Sequence, residues 1–417
     1  SPILDEVLRD IPGPDGDDTK PLQIPVVNIF YDNYKGRMAV GRLANGTVKQ
    51  GEQILHVGRD GKQSKQKLSV LQMYSGLGRA DVATARAGDI VTIAGIPEVQ
   101  IGDSILALEG AEALPILEIE EPTVRMTFGA NTSPFAGTEG KFSTSRHVKE
   151  RLERELLNDV ALRVEKAEGD GRFIVSGRGE LHLAILIEKM RREGYELEVS
   201  RPQVIFKEEE GKKVEPFEEV TIECPEALSG TVIEKMSKRR GEMKDMRVEH
   251  GTTHLIFEIP TRGLIGYRNE FLTDTKGQGI LNTLLLGYRP FVGEIAATTH
   301  GALISMAQGK TITFSLVKIQ ARGTVFVGPG VDVYAGMILG QNARAEDMEV
   351  NPIKEKQQTN MRSSGEGVAD KLEPAKQMTL EMNIEFLGDD ELLEVTPKSM
   401  RLRKMQLDPN KRKRSKS

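Results

Sequence analysis

Three short stretches of the 417-residue chain hold residue types that could do chemistry. Gly309-Lys310-Thr311, within ISMAQGKTITF, has the composition of the last three residues of a phosphate-binding loop. Such a loop needs another glycine five positions before its second one, so that successive backbone N–H groups curl around phosphate, and a helix behind it. That position is Ile304, and the run ITFSLVKI beyond Thr311 reads as a β-branched strand, which sets Lys310 on a turn between strands. Gly177-Arg178-Gly179, in GRGELHL, has His182 where a dinucleotide fingerprint has its third glycine, so a tight turn before an amphipathic helix is expected. His250 and His254, in HGTTH, flank Gly251 in a turn leading into a strand, and no Cys or carboxylate spacing completes a metal site. The single cysteine, Cys224, lies in the strand-like EVTIEC and reads as a core thiol, not a nucleophile. No catalytic residue, bound cofactor or metal is therefore expected. A self-contained nucleotide-using enzyme acting through Gly309-Lys310-Thr311 stands as the alternative.

Composition agrees with an ordinary globular chain of about three or four domains, 38% hydrophobic and 29% charged. No segment reads as membrane-spanning, one cysteine fits a reducing cytoplasm, and the non-methionine start SPILDEVLRD reads as a processed or truncated chain. The net charge of −5 argues against a general nucleic-acid binder, but its distribution does not. From Lys398 to Ser417 nine cations (Lys398, Arg401, Arg403, Lys404, Lys411, Arg412, Lys413, Arg414 and Lys416) face one acid, Asp408. Such a run is expected to be a solvated, disordered tail with a polyanionic partner, or a solubility tail with none.

The elements that would position these residues follow from periodicity. Residues 1–20 read as a helical scrap and a Pro/Gly/Asp linker. Residues 21–112 are short alternating runs broken at Asn45-Gly46 and Asp60-Gly61, both hairpin signals, and form a small antiparallel barrel. Residues 117–200 give the order β-α-β-β-α-β of a ferredoxin-like sandwich, with Val148, Leu152 and Leu156 at helical spacing, and 201–290 repeat it. Residues 291–417 are strand- and glycine-rich, with a polar loop at 342–376, a short helical DDELLEV, and the basic tail 404–417.

Several runs resemble a known family. AGDIVTIAGI with IGDSI resembles the barrel that follows the GTP-binding domain in translational GTPases. GRGELHL resembles the third domain of elongation factor G, and RRGEM with TKGQG its fifth. RGLIGYRNEFLTDTKGQGILNTLLLGY and the C-terminal EKQQTNMRSSGEG are similar to the BipA/TypA family of ribosome-associated translational GTPases over essentially the whole chain. Between Ser200 and Val214 there is no room for the projecting fourth domain of elongation factor G, which also fits.

The resemblance implies a translation-factor barrel, two ferredoxin-like α/β sandwiches and a β-rich family-specific C-terminal domain. It implies that the GTPase domain, with its GTP and Mg²⁺, lies outside this chain, which is then not itself an enzyme. Implied partners are the 70S ribosome and 50S subunit, through rRNA and ribosomal proteins, the acceptor end of A-site tRNA, and the chain's own G domain. A cytoplasmic monomer acting in translation under stress and in 50S assembly is expected. The polar loop supplies the first candidates for RNA contact, Asn351, Lys354, Lys356, Gln357, Gln358, Asn360 and Arg362, since amides bond to ribose or base edges where cations hold phosphate. Lys238, Arg239 and Arg240 at a helix end, where cations also suit the helix dipole, and Lys411, Arg412, Lys413 and Arg414 in the tail complete the set.

Overall fold

The computed structural model describes residues 2–32, 34–115, 121–157, 159–169, 171–295, 301–355 and 372–415. It divides into two compact units, Ser1–Glu120 with Glu153–Ala161, and Glu121–Leu152 with Leu162–Ser417.

The first unit starts with the exposed helix Pro2–Asp10. Eight antiparallel strands follow, in the spatial order Gln63–Lys67, Gln53–Val57, Ser104–Leu106, Gln23–Asp32, Gly36–Arg42, Ile90–Ala94, Val70–Ser75, Gly78–Asp81. Alternation sends Ile24, Val26, Ile54, Leu71, Val91 and Ile105 into one core. Asp60-Gly61 closes the hairpin between Gln53–Val57 and Gln63–Lys67, with Gly61 at φ 77°. Asn45-Gly46 does not close one. Asn45 bridges to Gln23, and its side chain donates to Gln23 Oε1 at 2.7 Å and accepts from Asp17 N at 3.3 Å. The turn thus hands the chain to the separate pair Thr47–Lys49 and Thr84–Arg86.

The second unit holds the expected topology twice. Strands Arg163–Lys166, Arg172–Gly177, Val124–Ala130 and Leu197–Ser200 lie in that order, as do Glu242–Glu249, Thr252–Pro260, Lys212–Pro225 and Ile280–Pro290 in the second copy. Read in chain order, both sheets run 2-3-1-4, the ferredoxin-like arrangement. In the first sandwich, Thr144 Oγ1 accepts from His147 N at 3.3 Å to start helix Ser145–Leu156, and helix Glu180–Arg192 buries Leu183, Leu186, Ile187 and Met190. In the second, helices Glu226–Lys238 and Tyr267–Asp274 cover Val220, Ile222, Leu255 and Phe257, and Cys224 is buried among them.

Beyond residue 300 two local assignments are corrected. ITFSLVKI forms helix Thr313–Gln320, because Leu316 and Ile319, three apart, are both buried, whereas a strand would have split them between faces. DDELLEV, acidic at its start like a helix N-terminus, forms strand Glu391–Val395, and the helix lies earlier, at Leu380–Phe386. Long-range pairing overrides the local signal: Glu391–Val395 runs antiparallel to Met400–Lys404 on one side and to Leu197–Ser200 of the first sandwich on the other. The C-terminal hairpin is therefore part of the first sandwich's sheet.

That join is charged and buried. In one row across the sheet stand Arg172, Gly129, Glu198, Glu394 and Arg401. Glu198 accepts from Arg172 Nη2 at 3.1 Å and from Arg403 Nη2 at 2.5 Å. A side chain at Gly129 would press on Arg172 Cγ at 3.3 Å, so glycine there lets the arginine reach across. Glu394 accepts from Arg401, Asn131 and Tyr334, at 2.7, 3.0 and 2.9 Å. Lys404, 2% exposed, is held by Asp347, Asp390 and Glu391 at 2.9, 3.0 and 2.8 Å.

A second junction forms around Gly266, at φ 75° before helix Tyr267–Asp274. Its N–H donates to the Glu180 carboxylate, and a Cβ there would lie 2.8 Å from Glu385 Cγ. Asn269 Nδ2 donates to Glu385 at 2.5 Å. Burial, with the Glu385 carboxylate close by, pushes Glu180 up to about 7, and burial raises Glu385 as well.

Candidate nucleic-acid interface

The expected loop 342–376 is interrupted by strand Met348–Val350, parallel to Gly301–Ser305, and the polar segment is tethered just beyond it. Asn351 Oδ1 accepts from Ile353 N at 3.1 Å, and Ser315 Oγ donates to the Lys354 carbonyl at 2.6 Å, fixing the segment to helix Thr313–Gln320. Lys354 is exposed, and nearby on that helix Lys318 Nζ lies 4.1 Å over the Phe314 ring. Lys356, Gln357, Gln358, Asn360 and Arg362 lie outside the described residues.

The Gly309-Lys310-Thr311 turn forms no phosphate cradle. Gly309–Lys310 pairs with Asp332–Val333, Thr311 N donates to Val331 O at 2.9 Å and Ile312 N to Pro352 O at 3.1 Å. The Thr311 hydroxyl, which a phosphate loop gives to a metal ion, donates to Gly328 O at 2.7 Å. Lys310 is exposed two residues before the helix cap Ile312, whose N–H ties the turn to Pro352, so the turn adds a cation to the start of the polar segment.

The helix-end cluster separates into distinct roles. Lys238 is exposed and pairs with Glu234 at 2.6 Å. Arg239 caps the helix and donates to Gly263 O, Ile265 O and Glu270 at 3.0, 3.2 and 2.7 Å, with its guanidinium 5.0 Å over Tyr267. Its side chain is committed to the second sandwich. Arg240, at φ 66°, is exposed and reaches Glu294 O at 3.4 Å.

The basic tail is also corrected. Arg401, Arg403 and Lys404 belong to the buried junction, and Pro409–Ser415 is a helix that starts from Asp408-Pro409, an acidic cap followed by proline. Asp408 Oδ1 accepts from Asn410 N at 2.8 Å. Arg412 is 8% exposed and donates to Gln406 O and Leu407 O at 2.8 and 2.7 Å and to the Glu349 carboxylate. Lys411 and Arg414 are exposed, while the Lys413 side chain lies outside the described part. Replacing Arg412 or Arg239 by alanine is expected to cost about 1–3 kcal/mol of stability through orphaned carbonyls, with no change in the salt dependence of RNA binding. Parallel denaturation and binding measurements on the two variants test this, and a lower salt slope at unchanged stability would refute it.

Three arginines that periodicity did not single out as RNA contacts, Arg125, Arg163 and Arg178, are exposed and make no side-chain hydrogen bond among the described residues. Strand register sets Arg125 and Arg163 on either side of Ser176, and Arg178 lies just past the end of that middle strand. Among the described residues no group of His, Cys, Asp and Glu could hold a metal ion, and no helix is long and apolar enough to cross a membrane.

Comparison with known proteins gives four matching family models. They are elongation factor Tu domain 2 over residues 36–106, elongation factor G domain III over 140–201, the elongation factor G C-terminus over 212–299, and the TypA/BipA C-terminal domain over 300–409. No GTP-binding domain is among these matches, and the matched domains are not the catalytic part of such factors. The chain is 46% identical over 405 residues to a protein of Synechocystis sp. named large ribosomal subunit assembly factor BipA, covering 97% of this chain and 68% of that protein. Proteins of the same name from Bacillus subtilis and Escherichia coli are 43% and 45% identical, covering 99% and 100% of this chain and 68% and 69% of theirs.

Proposed function

Because this chain belongs to the TypA/BipA family, we propose that it is the ribosome-binding portion of a translational GTPase whose GTP- and Mg²⁺-binding domain lies outside it. Its partners are the 70S ribosome and the 50S subunit, with contacts to rRNA and to the acceptor end of A-site tRNA. It works as a cytoplasmic monomer in large-subunit assembly and in translation under stress. The relatives' shared name, large ribosomal subunit assembly factor, supports the first role. One observation carries the proposal: the family-specific C-terminal match over residues 300–409 contains the whole candidate run Asn351–Arg362. The exposed Lys310, Lys318 and Lys354 beside that run suit phosphate.

The test is affinity of this chain for 70S ribosomes and for 50S subunits at several salt concentrations, with Lys354, Lys356 and Arg362 replaced by alanine. Each phosphate deprived of its cation lowers the slope of log affinity against log salt by about 0.7–0.9, so the three together should lower it by about 2–3. Affinity for an unrelated duplex RNA should hardly change. A triple variant that binds ribosomes like the parent at every salt concentration would reduce the loop to a solvated connector.

A further inference from the structure

The first sandwich's sheet has one face under its helices; on the other, the end at Glu198 and Glu394 is buried beside the C-terminal hairpin, and the end at Arg125 and Arg163 is uncovered. At that uncovered end Arg163, Ser176, Arg125 and Gln203 stand in register on four neighbouring strands. Their immediate neighbours Val124, Met126, Val175 and Val204 point the other way and are buried. Adjacent strands lie about 4.8 Å apart, so the two arginines leave the sheet about 10 Å apart, with only the small Ser176 between them. Arg178, in the Gly-Arg-Gly turn, follows Ser176 by two residues at the end of the same strand. None of the three arginines has a side-chain hydrogen bond among the described residues, whereas Arg172, on the same strand, is taken by Glu198. The acidic neighbours are few. Glu165 shares a strand with Arg163, and the Glu121 carboxylate, hydrogen-bonded to Lys207, also lies within the field of Arg163 without bonding to it.

The second sandwich, built on the same topology, carries the opposite sign. Its uncovered face holds Glu219, Glu223, Glu242, Asp245, Glu249 and Glu258. Their cations are already paired: Lys244 with Glu242 and Glu258, Arg247 with Asp245, and Arg289 with Glu258. Phosphate would be repelled there and attracted to the first sheet.

We propose that the uncovered sheet face of the first sandwich is a second RNA-binding surface, separate from the C-terminal loop. Arg125, Arg163 and Arg178 each hold a backbone phosphate, for which the forked guanidinium is suited, and Ser176 and Gln203 bond to ribose hydroxyls. The occupant is a structured RNA backbone, read by charge and shape. This rests on the ribosome-binding reading and adds that the two sandwiches differ, with only the first turning a sheet toward RNA.

The experiment uses the full chain with Arg125, Arg163 and Arg178 replaced by alanine, a lysine version of the same triple, and a control, Lys244→Ala with Arg247→Ala, on the second sheet. Binding to 70S ribosomes and to protein-free ribosomal RNA is measured across salt concentrations. The alanine triple should lower the salt slope by about 2–3 on both ligands, with melting unchanged because the residues are exposed. The lysine triple should keep the slope, and the control should not alter it. An unchanged slope in the alanine triple overturns the proposal. So does a loss on ribosomes with none on bare RNA, which would make the occupant a protein. If the alanine triple matches the parent while the loop variant does not, this inference falls and the functional reading stands; a parent that binds neither ligand overturns both.

Discussion

Replacing Arg403 by methionine is expected to destabilise the second unit by about 3–5 kcal/mol, the cost of leaving a buried charge without its partner. Arg403 is 2% exposed and bonds to Glu198, itself 2% exposed, and to Thr132 Oγ1 at 2.7 Å. Without the guanidinium, Glu198 keeps only Arg172 and the N–H and hydroxyl of Thr132 as donors. The double change Arg403→Met with Glu198→Gln removes both charges and should recover much of the loss, because ion pairs replaced together cost far less than pairs broken singly. The chain has no tryptophan, so urea unfolding is best followed by far-ultraviolet circular dichroism. A single variant within about 1 kcal/mol of the parent would show that the pair contributes little.

A large pH effect is expected at Gly266. Glu180 titrates at about 7 in the folded chain against an ordinary value of 4.5. Because the folded state holds this proton more tightly, the stabilisation is complete below about pH 4.5 and is lost as pH rises to about 7, at 1.36 kcal/mol per unit, or about 3 kcal/mol in all. Glu385 and Glu391, also raised by burial, act in the same direction. Glu188 and Glu258, held down to about 2 by their arginine and lysine partners, act oppositely but only as pH falls below the ordinary range. Glu180→Gln, which cannot ionise, should therefore be more stable than the parent at pH 8 by about 3 kcal/mol and flatten the slope between pH 4.5 and 7. Equal stability of the two at pH 8 would place the Glu180 carboxyl near its ordinary value.

Both sandwiches were legible because each element carried its own period. Val148 and Leu152 marked a helix, the alternation in RFIVSG a strand, and Gly194, at φ 95°, the end of helix Glu180–Arg192. Local patterns failed where a distant partner decided. Glu391–Val395 is a strand because it pairs with Met400–Lys404 across a short turn and with the open edge of Leu197–Ser200, and this second partner lies nearly two hundred residues away. The same holds for the interface. Lys354 could be named from composition, but Arg401, Arg403, Lys404 and Arg412 look identical to solvated cations until their carboxylates, on Glu139, Glu198, Glu391 and Glu349, are seen beside them. The row Arg163–Ser176–Arg125 exists only as register and has no footprint along the chain.

The shared sheet also orders events in time. Strand Leu197–Ser200 receives its outer neighbour, Glu391–Val395, only after nearly two hundred further residues have been made. At about 5–20 residues per second that is on the order of 10–40 s of synthesis. Through that interval the nascent first sandwich shows an open edge, and Glu198 lacks Arg403. A chain interrupted before residue 391 would keep that edge exposed, inviting strand addition from other chains. The hairpin Glu391–Lys404 is thus a quality gate, since its arrival covers the edge that Leu197–Ser200 leaves open.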